Sequence, residues 1–346
     1  MKKKIVCISG LGLSLLALTT SPVKAATNYR GFTIDVDKAN SKNLKDIRSK
    51  WNGNIIRYQM RSRFLAGRKR CSYSEAWQMI LKGLPKVLDD AKKNNMVIVL
   101  TMQGGVPNDK AKKYPKGKKR LTAFWADEEN LQILVKCWQQ VAEICKDRKQ
   151  KIWFDILNEP LNWDDFPSYP KKWPRWAQTI INAIRKIDKT HPIVVEVGPG
   201  GLSWGFKDFP MLKGRPLIYS IHCYQPHAYS HQGIKNLKET DLAKAFLQIN
   251  RKWPGKFSDN KGGYWNKQRI EQELEPVVAF QKKHNVQIFV GEFSVVRWAP
   301  NADKFLRDSI EIFEKNGWDW TYHAYKESHL WDLEKTPVFE PYPGHE

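Results

Sequence analysis

Eight short runs rich in β-branched, aromatic and aliphatic residues recur along the chain, and most are followed by a segment whose apolar positions repeat at helical spacing. The runs span residues 29–36, 54–58, 96–101, 151–157, 193–197, 217–223, 286–290 and 318–322. Several are continuously apolar, such as Val97-Ile98-Val99-Leu100 and Ile288-Phe289-Val290, the pattern of parallel strands covered on both faces. Between them Leu131, Leu134, Val135, Trp138, Val141, Ala142 and Cys145 repeat at i, i+3, i+4 and i+7, and Trp176, Ile180, Ile184 and Ile187 do the same. This alternation predicts a closed (β/α)8 barrel, a TIM barrel in one domain, before an open doubly wound sheet. The fifth connection is the exception, because Gly200-Gly201-Leu202-Ser203-Trp204-Gly205 leads into a segment too short for a long helix. Residues 225–264 form the longest irregular stretch, expected to be an insertion that walls a cleft.

The first residues stand apart from this pattern. Lys2, Lys3 and Lys4 precede an apolar run over 5–18, and the small residues up to Ala25-Ala26 suit cleavage after Ala25. The run is shorter than the ~20 residues of a spanning helix, so residues 1–25 read as a signal peptide and 26–346 as the catalytic domain of a secreted or periplasmic protein. An oxidising compartment would permit one or two disulfides among Cys71, Cys137, Cys145 and Cys223. Cys137 and Cys145 lie about 12 Å apart along one predicted helix, too far to bridge each other.

Composition adds two constraints. The 346 residues are 41% hydrophobic and 27% charged, with a mean hydropathy of −0.58, which excludes a disordered or multi-span membrane chain. Fifteen Trp, twelve Tyr and fifteen Phe are enough to fill a core and still present rings to a ligand. The formal charge of +22 points to an anionic glycan or envelope surface as a neighbour. The charge collects in two predicted loops: Arg61, Arg63, Arg68, Lys69 and Arg70 after the second strand, and seven basic residues between Lys110 and Arg120 after the third.

Candidate chemistry sits where barrel strands end. In order these positions hold Arg57, Gln103, Asn158-Glu159, His222 and Tyr224, Glu292, then Trp320 with His323. Pro160 disfavours the α region for the residue before it, so Glu159 is expected to be extended. Gly291 permits a bend or a close approach beside Glu292. Two opposed carboxylates are what glycoside hydrolysis requires, one protonated to release the leaving oxygen and one ionised to attack the anomeric carbon. The ionised group needs a guanidinium and a phenol nearby, and the acid needs a drier, negatively biased place.

With Arg57, Asn158-Glu159-Pro160, His222-x-Tyr224 and Gly291-Glu292-Phe293 in this order, the chain resembles glycoside hydrolase family 5, the cellulase family of retaining (β/α)8 glycosidases. The resemblance implies Glu159 as acid/base, Glu292 as nucleophile, Asn158 bonding the sugar 2-hydroxyl, and Arg57 and Tyr224 holding Glu292. Two departures bear on sugar choice. Gln103 stands where the family usually has an Asp-x-His arrangement, and the register of the stacking tryptophan after the eighth strand is open, with Trp320 favoured and His323 the competitor.

The reading is a secreted endo-β-1,4-glucanase acting as a monomer on a β-linked polysaccharide or oligosaccharide. It needs no cofactor, since both steps come from carboxylates. The alternatives are a β-mannanase or another β-glycanase, and a non-catalytic carbohydrate-binding protein on the same barrel. No metal is expected, because His227 and His231 lack an accompanying ligand set. Export argues against nucleic acid as a partner. Gly201-Leu202-Ser203-Trp204-Gly205 fits a nucleophile-elbow pattern but lacks the strand-to-helix turn that motif demands. Trp163, Trp204 and Trp298 are candidates for stacking on sugar rings.

Overall fold

The computed structural model describes residues 28–234, 249–259 and 262–339; the expected leader and part of the insertion lie outside these residues. Eight parallel strands close into a barrel in the ring order β1 (Arg30–Asp35), β2 (Ile55–Met60), β3 (Val97–Met102), β4 (Ile152–Asp155), β5 (Ile193–Glu196), β6 (Leu217–His222), β9 (Gln287–Phe293) and β10 (Asp319–Tyr322), which pairs back with β1. The expected (β/α)8 barrel is therefore observed. A two-stranded antiparallel hairpin, β7 (Gly255–Lys256) with β8 (Tyr264–Trp265), lies in the irregular stretch and was not anticipated. Its strands are two residues each, below the length at which alternation is visible.

Helices cover the outside. They include α1 (Ser41–Lys50), α2 (Ser62–Lys69), α3 (Tyr73–Lys93), α4 (Lys118–Ala126), α5 (Glu129–Cys145) and α6 (Trp173–Arg185), followed by helices over Lys267–His284 and Ala302–Lys315. The start of α3 is set by a capping box: Ser72 accepts from the Glu75 backbone N–H, and Glu75 accepts from that of Ser72. The fifth connection holds only a 3-10 turn, Ser203–Lys207, as its length requires. There the Ser203 hydroxyl donates to the Glu273 carbonyl at 2.6 Å, a packing role that accounts for the serine of the elbow-like sequence.

The strand pleat sorts side chains into two cores. Ile55, Val97, Val99, Trp153, Val194, Ile218 and Phe289 fill the lower barrel interior, while a larger cluster packs between strands and helices. Two residues farther along the same inward rows, apolar side chains give way to polar ones: Arg57 after Ile55, Thr101 after Val99, Asp155 after Trp153, Glu196 after Val194 and Ser220 after Ile218. All five of these polar residues are fully buried. The barrel is thus an apolar plug below and a polar chamber above, at the end where a site belongs.

Candidate active site

Arg57 is the centre of the polar chamber. Its Nε donates to Asp155 at 2.8 Å, Nη1 to Glu292 at 2.6 Å, and Nη2 to Glu196 and to Asn158 Oδ1, both at 2.8 Å. A guanidinium presents five donors in a rigid fork, which is why one side chain can tie four strands together. Burial opposes its charge, but Asp155, Glu292 and Glu196 outweigh that and raise it above its ordinary value.

Glu292 accepts from Arg57 on one oxygen and from the Tyr224 hydroxyl, at 2.7 Å, on the other. Gln103 Nε2 lies 3.4 Å from the first oxygen and His323 Nδ1 3.5 Å from the second. Burial would raise this carboxyl; His323, His222, Arg57 and the Tyr224 hydroxyl more than reverse that and hold it well below the usual carboxylate range. Its inward aim depends on an irregularity at Gly291: the register of β9 against β6 shifts between Ile221 and His222, so His222 faces Glu292 where regular pairing would give Gly291. Bulges of this kind re-aim side chains beside sites. A Cβ on Gly291 would come within 2.9 Å of His222 Nε2, so the close approach expected from the sequence is present.

Glu159 approaches from the opposite side. His222 Nδ1 lies 2.8 Å from its Oε1, and ligand atoms of Glu159, His222 and Glu292 all fall within 4.8 Å of one another. Those three groups are also the set that a cation could share, although His222 and Glu292 are already engaged with neighbours. The Glu159 backbone is not extended as expected. Its φ is +47°, in the left-handed region, and its N–H donates to Glu196 Oε2 at 2.9 Å. Pro160 still excludes the right-handed helix, but the chain must turn sharply to satisfy that hydrogen bond. The Glu159 side chain is 40% exposed, so the drier setting expected for an acid is not built into the open cleft.

Glu196 is one of two chamber carboxylates missed from the sequence, Asp155 being the other. It is fully buried, accepts from Arg57 and from the Glu159 backbone, and stands 3.2 Å from His222 Nε2, in ion-pair range but poorly aligned for a hydrogen bond. The available signal was a lone carboxylate in Ile193-Val194-Val195-Glu196, two residues beyond an inward valine; Asp155 in Trp153-Phe154-Asp155 carries the same signal. His222 is raised well above its ordinary value: burial opposes its charge, but Glu196, Glu292 and Glu159 prevail.

Trp320 is the expectation that fails. Strand parity turns Thr321 inward, where its hydroxyl donates to the Gly291 carbonyl, and Trp320 outward against Phe293. There it lines a cavity between the barrel and its helices with Phe32, Trp51, Leu306 and Ile310. His323, one inward step beyond Thr321, takes the position beside Glu292. Trp298 is likewise unavailable for stacking, being buried with its Nε1 donating to the Gln232 carbonyl. Trp163 and Trp204 flank the exposed Phe166 at ring separations of 5.3 and 5.7 Å. Cys71, Cys137, Cys145 and Cys223 are all free thiols, so neither of the permitted disulfides forms among them.

Known proteins resemble the chain in sequence and in fold. Endoglucanase 3 of Fibrobacter succinogenes is 26% identical over 228 residues, 58% of this chain but only 33% of that protein, so the chain spans about a third of this relative's length. A hyperthermophilic endo-β-1,4-glucanase solved with substrate superimposes with a TM-score of 0.66 at 21% identity, covering 88% of this chain and 91% of the other. Thermotoga maritima Cel5A solved with mannotriose gives 0.64 at 19% identity, covering 88% and 92%. The model of the cellulase family, glycosyl hydrolase family 5, matches residues 19–329, and the chain belongs to that family.

Proposed function

We propose that this chain is an exported retaining β-glycanase, an endo-β-1,4-glucanase in substrate class, with Glu292 as nucleophile and Glu159 as acid/base. One observation carries the reading: a carboxylate kept ionised by Arg57 and Tyr224 faces a second, cleft-exposed carboxyl with oxygens within 4.8 Å. Spacing near ~5–5.5 Å suits direct attack, whereas an inverting pair needs ~6.5–9.5 Å to admit a water.

In the first step a Glu292 oxygen bonds the anomeric carbon as the bond to the leaving oxygen breaks, and the Glu159 proton passes to that oxygen. In the second, Glu159 takes a proton from water, whose oxygen displaces Glu292 from the same carbon and restores both carboxyls. A bound sugar would cover the exposed Glu159 and supply the dryness that the open cleft lacks. Asn158 has committed its Oδ1 to Arg57, which orients the side-chain amide N–H groups as donors toward substrate.

Reducing-end release from mixed-linkage glucan, carboxymethylcellulose, glucomannan, mannan and xylan tests the reading, with Glu159→Gln and Glu292→Gln alongside. Cleavage of a glucan that is lost in both variants is the expected result. Activity confined to mannan would move the substrate to the β-mannanase alternative, and cleavage surviving Glu292→Gln would remove the nucleophile assignment. A folded protein that binds glycan but cuts none of the panel would leave the non-catalytic reading.

A further inference from the structure

Beside Glu159 the cleft continues into a cavity of about 290 Å³ between the loops that follow β2, β3 and β4. Two arginines line it, Arg63 from α2 and Arg120 from α4, together with Tyr73, Tyr114 and Trp125. The other arginines of the first basic loop are differently placed. Arg61 is paired with Glu327, Arg68 with Asp35 and Asp37, and Arg70 caps the C-terminus of α2 outside the cavity lining. Among the described residues, neither Arg63 nor Arg120 has a carboxylate within 4 Å.

Apart from Glu159 at the edge of the cavity, the acidic groups of the surrounding loops are already committed. Asp109 accepts from the Tyr73 backbone and the Ser74 hydroxyl and pairs with Lys112, while Asp127 accepts the Tyr114 hydroxyl at 2.5 Å. The protein around the Arg63 guanidinium and the neighbouring Arg120 charge both lower it, with the Tyr73 hydroxyl in opposition. Two like charges that line one cavity with no carboxylate within 4 Å repel each other, Arg63 in part through solvent, and an oxyanion placed in the cavity would relieve that repulsion. Guanidinium groups suit such a partner, because their planar forks match carboxylate, sulfate and phosphate oxygens.

We propose that Arg63 and Arg120 form a subsite for an oxyanion carried on a sugar ring bound beside Glu159, so that the preferred chain is an acidic β-glycan. The oxyanion is a uronate carboxylate or a phosphate or sulfate ester. This inference rests on the glycanase reading for the sugar, and on the cavity alone for the anion. It narrows the role of the basic loops from general attraction to two side chains at a defined place.

Calorimetric titration of the full, unmutated protein with cellobiose, with its 6-uronate and with its 6-phosphate separates the two anion sources. At least one charged disaccharide should bind about tenfold or more tightly than cellobiose, the increment expected of one charge-assisted contact. Arg63→Ala and Arg120→Ala should each remove most of that preference. Lys116→Ala with Lys119→Ala takes two exposed charges from the same loop without touching the cavity lining and should keep it. Equal binding of all three disaccharides would overturn the proposal, as would a preference that persists in the double arginine variant or falls equally in the lysine pair. Reducing-end release measured in parallel keeps the readings apart, since a protein that cuts nothing but prefers the anionic disaccharide fails only the glycanase reading.

Discussion

Replacing Glu196 by glutamine removes one charge and almost no volume from the centre of the polar chamber. In the native arrangement one oxygen accepts Arg57 Nη2 at 2.8 Å and the other accepts the Glu159 backbone N–H at 2.9 Å. An amide has one acceptor oxygen, so its NH2 must face one of these two buried donors. An orphaned buried donor costs ~1–3 kcal/mol. Arg57 keeps Asp155 and Glu292, so the ~3–5 kcal/mol of a fully broken buried pair is not expected. At ~2.1 cal/mol/K per residue over the 346 residues, the melting temperature should fall by ~1.5–4 °C.

The charge has a second effect, through His222. Glu196 is the strongest of the groups that raise this imidazole against burial. A raised histidine contributes stability that is complete below its unfolded value near ~6.5 and is lost as pH rises through its folded value. Without Glu196 that folded value drops, so the loss of stability begins at lower pH. Loosening the Glu159 backbone adds a fall in kcat/KM of up to ~10²-fold, the scale of a small misplacement of a reacting group. Thermal melts and activity between pH 5 and 10 read all three effects. A variant that melts within 1 °C of the parent across that range and keeps its kcat/KM would refute the reasoning.

Glu292 gives the acid side of the same behaviour: held well below its usual range, it stabilises the fold fully above about pH 4.3, and that contribution is lost as pH falls through its folded value. Arg57→Met should therefore shift the acid limb of kcat/KM upward, and an unmoved limb would argue against Arg57 as the group that holds Glu292 ionised. Gly291→Ala places a Cβ 2.9 Å from His222 Nε2; expected are a melt lowered by ~1–3 kcal/mol and kcat/KM at least about tenfold down, and near-parental values would mean that the ring moves freely. His323→Ala should weaken turnover by removing the imidazole whose Nδ1 lies 3.5 Å from Glu292, whereas Trp320→Ala should lower stability by up to ~3–5 kcal/mol and leave KM unchanged; the reverse pattern would restore Trp320 as the sugar platform. Because the four thiols are free, the melt should be the same with and without reductant.

The barrel was legible because its signal is local and repeated. Runs such as Val97-Ile98-Val99-Leu100 need both faces covered, and eight of them separated by helical periodicity leave few other topologies. The strand-end residues were legible for the same reason: once a strand is placed, its last residues are placed too. Arg57, Gln103, Glu159, His222, Tyr224 and Glu292 all converge on one chamber. Glu196 and Asp155 are less legible because they stand within apolar runs, where a carboxylate reads as an exception until the inward row of the strand is followed upward.

What depended on tertiary structure was orientation. Whether Trp320 or His323 faces the cleft turns on one step of a period-two pleat, and a register shift of a single residue at Gly291 decides that Glu292 points inward. The left-handed turn at Glu159 follows from a hydrogen bond to Glu196, a residue 37 positions away. Likewise the sequence showed a run of basic residues, but only the packed loops separate the arginines that have counter-ions from the two that face a cavity. Periodicity reports which residues share a face, because that is a property of the backbone alone. Which atoms meet across the barrel is settled by closure, where each strand takes its register from its neighbours and not from its own sequence.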